Sequence, residues 1–267
     1  MAGVKMAKNK AGGLGKGKRM LLNAFFPWKN CLICGEANLE TLKNIAYRKN
    51  QGYICPACKQ KLQQYESCTY CSVFLPKAAV GENMPVCSWC REKRLPYITD
   101  CVSVAPYQGK LRQFLLDLKY NQKQGVARPM GEMVARQVET MDWQCDVLVS
   151  VPLHSKRQRE RGYNQSELIA LAAADRLRLP YYRQVIKRVK ETKIQNKLTW
   201  QQRAQNVADA FWPGKNGNLV KGKRVLLIDD IITSGSTVCN CAKALLSAGA
   251  NMVYAAAVAS PIDKKLV

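Results

Sequence analysis

Past residue 100, the chain alternates between two hydrophobic patterns, one typical of buried strands and the other of amphipathic helices. Four short, mostly apolar segments have the composition of strands covered on both faces: 102–107, 146–152, 225–229 and 252–260. Between them, apolar residues recur at intervals of three and four, a spacing that predicts four helices: 109–120, 130–141, 166–177 and 236–249. Strands that alternate with helices in this way predict an α/β domain with a mostly parallel, doubly wound sheet.

Residues at the ends of two predicted helices support their limits. Asn164 precedes the helix at 166–177, and with Glu167 three residues later it resembles a capping box. Gly249 suits the end of the helix at 236–249. Because Asn164 also follows a basic segment, the sequence leaves two roles open for it, a helix cap or a part of a binding site.

The region before residue 99 has few periodic segments and instead carries eight of the twelve cysteines. They form four C-x-x-C pairs: Cys31/Cys34, Cys55/Cys58, Cys68/Cys71 and Cys87/Cys90. Two such pairs can hold one tetrahedral zinc ion with four thiolates, so the sequence predicts two structural zinc ions in a double zinc ribbon. Sequential pairing is the simplest, although an interleaved order also fits the spacing.

Disulfides and a catalytic zinc ion are the alternatives for these cysteines. Disulfides are disfavoured because the chain is expected to be cytoplasmic, where thiols stay reduced. A catalytic ion is disfavoured because a site closed by four cysteines leaves no position for a water molecule. The remaining cysteines lie among apolar residues and are expected to be buried thiols: Cys101, Cys145, Cys239 and Cys241.

Composition adds a strong positive charge to this picture. The 267 residues carry a formal net charge of +23, which favours polyanionic partners: nucleic acid, phosphorylated small molecules or anionic lipid. A generally basic, well-solvated surface would give the same charge. No apolar run approaches the ~20 residues that span a bilayer, and the basic start lacks the apolar segment of a signal peptide. We therefore expect a cytoplasmic protein without a membrane span.

These patterns divide the chain into three parts. Residues 1–20 are rich in glycine and lysine and contain no acidic residue, which predicts a disordered basic tail. Residues 21–98 are expected to form the double zinc ribbon, a small module that metal rather than a large core would hold together. Residues 99–267 are expected to form the α/β domain.

The strand predicted at 225–229 ends in two adjacent carboxylates, Asp229 and Asp230. A small, hydroxyl-rich segment follows: Thr233, Ser234, Gly235, Ser236 and Thr237. Small residues between a buried strand and a helix let a phosphate approach the free N–H groups of the helix N-terminus. The carboxylates can accept hydrogen bonds from the hydroxyls of a sugar. The segment lacks the lysine of a P-loop and the spacing of a dinucleotide site, so nucleoside triphosphate and dinucleotide sites fit poorly. For Asp229 and Asp230, helix capping or magnesium coordination is the alternative.

A basic segment follows the second predicted strand. Ser150 is expected at the same edge of the sheet, and the loop predicted after it carries Lys156, Arg157 and Arg161. Such side chains beside a sugar-phosphate site could hold a pyrophosphate group. Lys156 and Arg157 fit a solvated or DNA-facing loop equally well. His154, the single histidine of the chain, is not expected to act as a catalytic base.

The stretch VLLIDDIITSGST closely resembles the phosphoribosyl pyrophosphate (PRPP) motif of type I phosphoribosyltransferases. The resemblance implies that Asp229 and Asp230 hold the ribose hydroxyls during catalysis and that Thr233 to Thr237 cradle the 5′-phosphate. It also implies a type I phosphoribosyltransferase fold with a hood above the sheet, and Mg²⁺ bound together with PRPP. The pocket for an acceptor is expected in that hood, from 100–125 and 190–211.

Further features resemble the ComF/GntX family. They are SVPLHSKRQRERGYNQSELIA at 150–170, LDLKYNQK at 116–123, QNKLTWQQRAQNVADAF at 195–211 and the cysteine-rich region before the transferase-like domain. The resemblance implies a PRPP-binding protein linked to natural transformation, in which imported single-stranded DNA is handled in the cytoplasm. The implied partners are PRPP or another ribose 5-phosphate ligand, single-stranded DNA, and competence helicase or processing proteins.

Three functions stay open on the sequence alone. The chain could transfer phosphoribosyl to an unknown acceptor, or it could bind DNA as a competence factor that keeps the PRPP site as a sensor or relic. A regulator that responds to PRPP is the third. DNA contact is favoured by the zinc ribbons, the tail and the basic segment 186–203. Trp200 and Trp212 near that segment could stack on bases or belong to the core.

Overall fold

The computed structural model describes residues 30–37, 53–80, 84–92, 95–190, 209–263 and 265. Within these residues, no helix is long and apolar enough to cross a membrane. These segments discussed above lie wholly or mostly outside the described residues: the tail 1–20, the basic segment 186–203, the motif 195–211 with Trp200, and the hood segment 190–211.

The described residues form eight strands and eight α-helices. The strands are β1 Tyr65–Ser67, β2 Phe74–Pro76, β3 Asp100–Pro106, β4 Val147–Ser150, β5 Ile186–Arg188, β6 Phe211–Pro213, β7 Arg224–Ile231 and β8 Met252–Ser260. The helices are α1 Pro56–Leu62, α2 Lys77–Val80, α3 Ser88–Glu92, α4 Gly109–Tyr120, α5 Ala127–Glu139, α6 Ser155–Arg161, α7 Gln165–Leu177 and α8 Ser236–Ser247. Two short 3₁₀ turns complete them: Gln124–Val126 and Gly217–Val220.

Four parallel strands form the central sheet, in the spatial order β3–β8–β7–β4. The inner strand β7 lies between its neighbours with Val225 opposite Val253 of β8 and Val147 of β4. The side chains of β7 and β8 are buried along most of their length, as their apolar sequences predict. The predicted parallel sheet is therefore confirmed, and its carboxyl edge collects the residues that follow all four strands.

Alternate residues of the inner strands face two separate apolar layers. On one face, Leu226 and Ile228 pack with α4, α5 and α7. On the other face, Val225 and Leu227 pack with α8 and with the antiparallel pair β5–β6. This arrangement follows from the two-residue period of a strand, which sends successive side chains to opposite faces. The predicted buried face of α8 is confirmed and consists of Val238, Cys241, Ala242 and Leu245.

The predicted loop after β4 is wrong, because residues Ser155–Arg161 form the helix α6. The ring nitrogen Nδ1 of His154 accepts a hydrogen bond from the backbone N–H of Lys156 at 3.4 Å and so caps the helix. Gly162 ends α6 in the left-handed region, with φ of +80°. The long basic side chains between these caps are good helix formers, so the charge density that suggested a loop is compatible with a helix.

Two smaller predictions also change. Asn164 caps α7 as predicted, since its Oδ1 accepts from the N–H of Ser166 at 3.1 Å, but Glu167 forms an ion pair with Arg183 at 2.8 Å. The predicted capping box is therefore confirmed at Asn164, whereas Glu167 is paired with Arg183. Among the non-paired cysteines, Cys145 is half-buried because it lies in the connection before β4, whereas Cys101, Cys239 and Cys241 are buried.

The cysteine module, made of the described residues 30–37, 53–80 and 84–92, packs against β3 and the end of β8. The N–H of Phe74 donates to the carbonyl of Pro261 at 3.0 Å, and the N–H of Asp263 donates to the carbonyl of Phe74 at 2.9 Å. Buried hydroxyls of Ser72 and Ser103 lie 2.8 Å apart, within hydrogen-bonding distance. These bonds attach the module to the edge strand of the sheet and to the chain that follows β8.

Gly131 allows helices α5 and α7 to pack closely, and this contact predicts a stability effect. A Cβ atom added at Gly131 would lie 2.3 Å from the carbonyl oxygen of Ile169 and 2.6 Å from Cβ of Ala172. We expect Gly131→Ala to lower the free energy of unfolding by about 1–3 kcal/mol, since overpacking forces the two helices apart. Urea unfolding would measure it. Gly125→Ala is the matched control because no atom lies within 4 Å of a Cβ there, and equal stability of both variants would contradict the prediction.

Candidate functional site

A cavity of about 650 Å³ opens at the carboxyl edge of the central sheet. Residues that follow each of the four parallel strands line it: Tyr107 after β3, Val151 to Leu153 after β4, Asp229 to Thr233 at the end of β7, and Pro261 after β8. Helix α4 contributes Leu116 and Lys119 to the wall. Parallel sheets place the ends of their strands together at one edge, and this edge is where open α/β sheets bind ligands.

The two carboxylates at the end of β7 are both buried, and each has a partner from another element. Lys119 of α4 forms an ion pair with Asp230, with 2.5 Å between Nζ and Oδ2. The hydroxyl of Ser166, in the first turn of α7, donates to Oδ1 of Asp229 at 2.9 Å. Burial, together with the neighbouring charge of Asp230, raises the pKa of Asp229 to about 8. A cation or several hydrogen-bond donors beside Asp229 would favour its charged form.

The positive charge of Lys119 compensates part of the negative charge of these two acids. Burial alone would lower the pKa of its ammonium group, but the carboxylates of Asp230 and Asp229 raise it, so the lysine stays charged. Its side chain is 20% exposed, which leaves it open to the cavity. A charged lysine beside two acids is suited to contact both a carboxylate and a ligand phosphate.

The segment 233–237, predicted as a loop, lies beside these acids and runs from the connection after β7 into the first turn of α8, which begins at Ser236. Gly235 has φ of +72° and is the N-cap residue of α8, so the cap position itself offers no side chain. The Ser234 and Ser236 hydroxyls lie 2.9 Å apart, and the N–H of Ser236 is 3.5 Å from Oγ of Ser234. The N–H groups of the first helical turn have no partner within the helix itself. With the positive end of the helix dipole, they give this end of the cavity the properties of an anion site.

Basic side chains outnumber acidic ones around the cavity. Among the described residues, five basic side chains line it against the two acids: Arg112, Lys119, Arg157, Arg161 and Arg188. Arg161 donates to Oε1 of Gln165 and lies 5.5 Å from the ring centre of Tyr120. Burial, and then the charge of Arg157, lower the pKa of Arg188. Cations held this close together favour an anionic ligand that neutralises them.

The structure brings most of the sequence-predicted site residues into this one cavity. Those that line it are Arg157, Arg161, Asp229, Asp230, Thr233, Ser234, Gly235 and Thr237. Ser236 adjoins it through its contact with Ser234. Two predicted residues do not line it: Ser150 is buried with its hydroxyl 2.7 Å from that of Tyr181, and Lys156 lies exposed on α6. Of the expected hood, Asp100–Pro106 is instead an edge strand of the sheet, while α4 borders the cavity.

Sequence reasoning missed the roles of several residues at the cavity. Lys119 and Ser166 were part of recognised segments, but no role had been assigned to them, whereas Arg188, predicted with 186–203 to favour DNA contact, lines the cavity. A signal for α4 does exist: Arg112, Leu116 and Lys119 recur at intervals of four and three, so they share one helix face beside the apolar face. No motif spacing predicts that Trp89, from the cysteine module, lines the cavity.

The eight paired cysteines form two clusters in sequential order. Each cluster brings its four sulfur atoms within 4.8 Å of one another: Cys31, Cys34, Cys55 and Cys58 in the first, and Cys68, Cys71, Cys87 and Cys90 in the second. Tetrahedral zinc with four thiolates separates its sulfurs by about 3.8 Å. The Sγ atoms of Cys34 and Cys55 are 3.9 Å apart, and those of Cys71 and Cys87 are 3.5 Å apart. Both clusters therefore fit a structural zinc ion.

Backbone groups support both clusters. The N–H groups of Ile33 and Cys55 each lie 3.4 Å from Sγ of Cys31. In the second cluster, the N–H of Cys87 lies 3.3 Å from Sγ of Cys68. Such contacts stabilise thiolate charge and are the outer-shell hydrogen bonds that metal-bound cysteines use.

Known proteins resemble this chain over most of its length. The phosphoribosyl transferase domain family matches residues 164–267. The DNA utilization protein YhgH of Salmonella typhimurium is 32% identical over 206 residues, which cover 75% of this chain and 87% of that protein. Competence protein F of Haemophilus influenzae is 27% identical, covering 84% and 93% of the two chains. Competence protein ComFC of Bacillus subtilis is 26% identical, covering 76% and 75%.

These matches are longer than the α/β domain at 99–267, so they reach into the cysteine-rich region before it. The sequence features that resembled the ComF/GntX family, the two cysteine clusters and the matched transferase domain thus agree with one another. The chain belongs to the ComF/GntX family, in which a cysteine-rich double zinc ribbon precedes a domain of the type I phosphoribosyltransferase fold.

Proposed function

We propose that this chain is a PRPP-binding protein of the ComF type that acts in DNA uptake and contacts single-stranded DNA. The observation that supports PRPP binding best is the buried pair Asp229 and Asp230 beside the loop 233–237 in one basic cavity. The names of the relatives, DNA utilization protein and competence protein, support the biological role. That role would place the chain in the cytoplasm with competence helicase or processing proteins as partners.

Each chemical group of PRPP has a matching part of the cavity. The 2- and 3-hydroxyls of the ribose can donate hydrogen bonds to Asp229, which already accepts one from Ser166, and to Asp230, which forms an ion pair with Lys119. The 5-phosphate can bind at the N-terminus of α8, over the small residues of the loop. The pyrophosphate group is left for the arginines Arg157 and Arg161, whose side chains extend from α6 into the same cavity.

The donors present also fit Mg²⁺, the cation expected with PRPP. Magnesium prefers oxygen ligands and is commonly held by one or two carboxylates together with phosphate oxygens, a set that Asp229 or Asp230 and a bound pyrophosphate would provide. When bound, the ion would offset the negative charge of the pyrophosphate. Asp230 forms an ion pair with Lys119, whereas Asp229 accepts a hydrogen bond from the neutral Ser166. Asp229 is therefore the carboxylate with the greater need of a bound cation.

A second candidate function is transfer of the phosphoribosyl group to a small acceptor. The observation that favours it is the basic wall of the cavity, because cations beside the leaving pyrophosphate would stabilise the charge that develops as it departs. A regulator that responds to PRPP would need the same binding site without this reaction. Release of pyrophosphate from PRPP in the presence of candidate acceptors separates transfer from binding alone.

The pair β5–β6 supports contact with single-stranded DNA. Trp212 is 55% exposed and is therefore not a core residue, and it pairs directly with the exposed Lys187 across the two strands. An exposed indole beside a lysine offers both a stacking surface for a base and a charge for the backbone. This surface adds to a net charge of +23, which would raise the affinity for any nucleic acid strand.

Calorimetry with PRPP and Mg²⁺ tests the assignment of the two acids. Asp229→Asn combined with Asp230→Asn should weaken PRPP binding by at least about 100-fold, because two charged acceptors for the ribose hydroxyls are lost. Charge repulsion alone would predict tighter PRPP binding in this variant, because two negative charges near a polyanion are removed. Asp142→Asn combined with Asp175→Asn is the matched control, as it removes two exposed carboxylates outside the cavity. Unchanged or tighter binding in the first variant would refute the site.

Zinc content tests the two cysteine clusters. Purified protein should contain about two zinc ions per chain, and Cys34→Ser should contain about one, because four-thiolate sites rarely survive the loss of a thiolate. Cys145→Ser is the control and should keep both ions, since Cys145 belongs to neither cluster. Elemental analysis by mass spectrometry gives the counts, and a wild-type content below one per chain is incompatible with the clusters as zinc sites.

DNA binding should depend on salt and on the exposed tryptophan. We expect the affinity for a single-stranded oligonucleotide to fall steeply between 50 and 200 mM salt, because lysine and arginine contacts release counterions. Trp212→Ala should lower the affinity about tenfold through the loss of one base stack. Fluorescence anisotropy measures both effects. Val189→Ala, an exposed apolar neighbour, should leave the affinity unchanged, and a salt-independent affinity would contradict DNA contact through this basic surface.

A further inference from the structure

The second cysteine cluster lies directly against the cavity at the sheet edge. Trp89, in helix α3 between the cluster residues Cys87 and Cys90, lines the cavity together with residues of β7 and α8. Leu95 packs on the same cluster and also on the phosphate-type loop: a Cβ atom added at Gly235 would lie 2.5 Å from Cδ2 of Leu95. Trp89 of the module thus forms part of the cavity wall, and Leu95, which follows the module and packs on its second cluster, contacts Gly235.

The order of the strands gives the cavity a basic side at α6 and an aromatic side at Trp89, Tyr107 and Pro261, where Arg112 lies 5.9 Å from the ring centre of Tyr107. Strand β7, which carries Asp229 and Asp230, is flanked by β4 on one side and β8 on the other. The basic helix α6, with Arg157 and Arg161, follows β4. On the opposite side, Pro261 follows β8 and Tyr107 follows β3, and Trp89 reaches the cavity from the module bound to these two strands. The two acids therefore separate a region suited to phosphates from a region suited to a flat apolar group.

We propose that Trp89 forms the wall that binds a planar heteroaromatic ring attached at the anomeric carbon of the ribose, and that the second cysteine cluster holds Trp89 in position. This inference rests on the proposed binding of a ribose 5-phosphate group by Asp229, Asp230 and the loop 233–237. With that group in place, the anomeric carbon lies beside the hydroxyls held by the acids. A ring attached there can extend away from the basic side, toward Trp89, Tyr107 and Pro261.

Trp89 is better placed for stacking than the two tyrosines of the cavity. The ring centre of Tyr107 lies 5.9 Å from the guanidinium carbon of Arg112, and that of Tyr120 lies 5.5 Å from the guanidinium carbon of Arg161. Each tyrosine therefore already has a cation over one face. Within the described part of the chain, no cation of this kind lies over the indole of Trp89. Trp89 is partly buried and packs against the apolar core of the second cluster.

The cluster fixes the backbone on both sides of Trp89. The N–H of Cys90 lies 3.4 Å from Sγ of Cys87, and the N–H of Ser88 donates to Oδ2 of Asp263 at 2.7 Å, a residue just beyond β8. A zinc ion bound by the four thiolates would hold Cys87 and Cys90 together, and Trp89 between them would keep its orientation toward the cavity. Trp89 is accordingly a ligand-binding residue, and the cluster is a positioning element.

Calorimetry with ribose 5-phosphate and with nucleoside 5′-monophosphates tests this assignment. AMP, GMP, CMP and UMP share the ribose 5-phosphate group and add a planar ring, so at least one should bind about tenfold tighter than ribose 5-phosphate. Trp89→Ala should remove this gain and leave the affinity for ribose 5-phosphate unchanged, whereas Trp89→Phe should retain most of it. Met84→Ala is the matched control, because it truncates an exposed side chain of the same module that does not line the cavity.

Fluorescence provides a second readout that a general loss of folding would not reproduce. Binding of the tighter mononucleotide should quench part of the tryptophan emission in the wild type and in Trp143→Phe, but not in Trp89→Phe. Trp143 stacks on Tyr254 and does not line the cavity. Zinc content of about two per chain in every variant would show that the cluster is intact.

The outcomes separate this inference from the function on which it rests. If ribose 5-phosphate fails to bind, the proposed PRPP site is wrong and the role of Trp89 is wrong with it. If ribose 5-phosphate binds but none of the four mononucleotides binds more tightly, or if the gain survives in Trp89→Ala, the PRPP site stands and the role of Trp89 is overturned. A gain that is lost in Trp89→Ala and kept in Met84→Ala supports the role of Trp89.

Discussion

Two adjacent carboxylates buried at the end of an inner strand are the constraint on which the arrangement of the site depends. A charge removed from water is costly unless a partner compensates for it, and Asp229 and Asp230 are both almost fully buried. Helix α4 provides Lys119 to Asp230, and helix α7 provides Ser166 to Asp229. Both helices must therefore begin or pass close to the carboxyl edge of the sheet. The cavity is the space that remains between these helices, the loop 233–237 and the strand ends.

The cysteine module is part of this arrangement rather than a separate attachment. Strand β3 lies at the edge of the central sheet, and an uncovered edge would expose unpaired backbone groups. The module covers this side through Ser72 and Ser103, and its strand β2 extends the backbone hydrogen bonds of the chain after β8. A small module with little core of its own gains a rigid base in this way. The C-x-x-C pair Cys87/Cys90 of the module, with Trp89 between the two cysteines, borders the cavity.

The sequence predicted those features that local patterns encode and missed those that depend on the packing of distant segments. The four strands of the central sheet and the helices α4, α5, α7 and α8 follow from hydrophobic periods, whereas β5 and β6 were not predicted. The two acids and the segment 233–237 follow from a long motif. Helix α6 was mistaken for a loop because charge density is ambiguous, and its caps at His154 and Gly162 are decided by backbone geometry. Ser150 was assigned to the site by its position in the chain, but it is buried with its hydroxyl paired to that of Tyr181, and it does not line the cavity. The pairing of Lys119 with Asp230 joins residues 111 positions apart, which no local pattern can reveal.

The short strand β5 links the two surfaces that the proposed function requires. Lys187 is exposed and pairs with Trp212, whereas the next residue, Arg188, lines the cavity with its guanidinium 5.4 Å from the ring centre of Phe211. Successive residues of a strand point to opposite sides, so one three-residue strand presents a cation to each surface. Arg188 also pairs through its backbone with His154, the cap of the helix that carries Arg157 and Arg161. A strand of nucleic acid bound at Lys187 and Trp212 would therefore contact the same element that orders the basic wall of the cavity. Because β5 contributes to both surfaces, coupling between two such ligands would need no rearrangement of the central sheet.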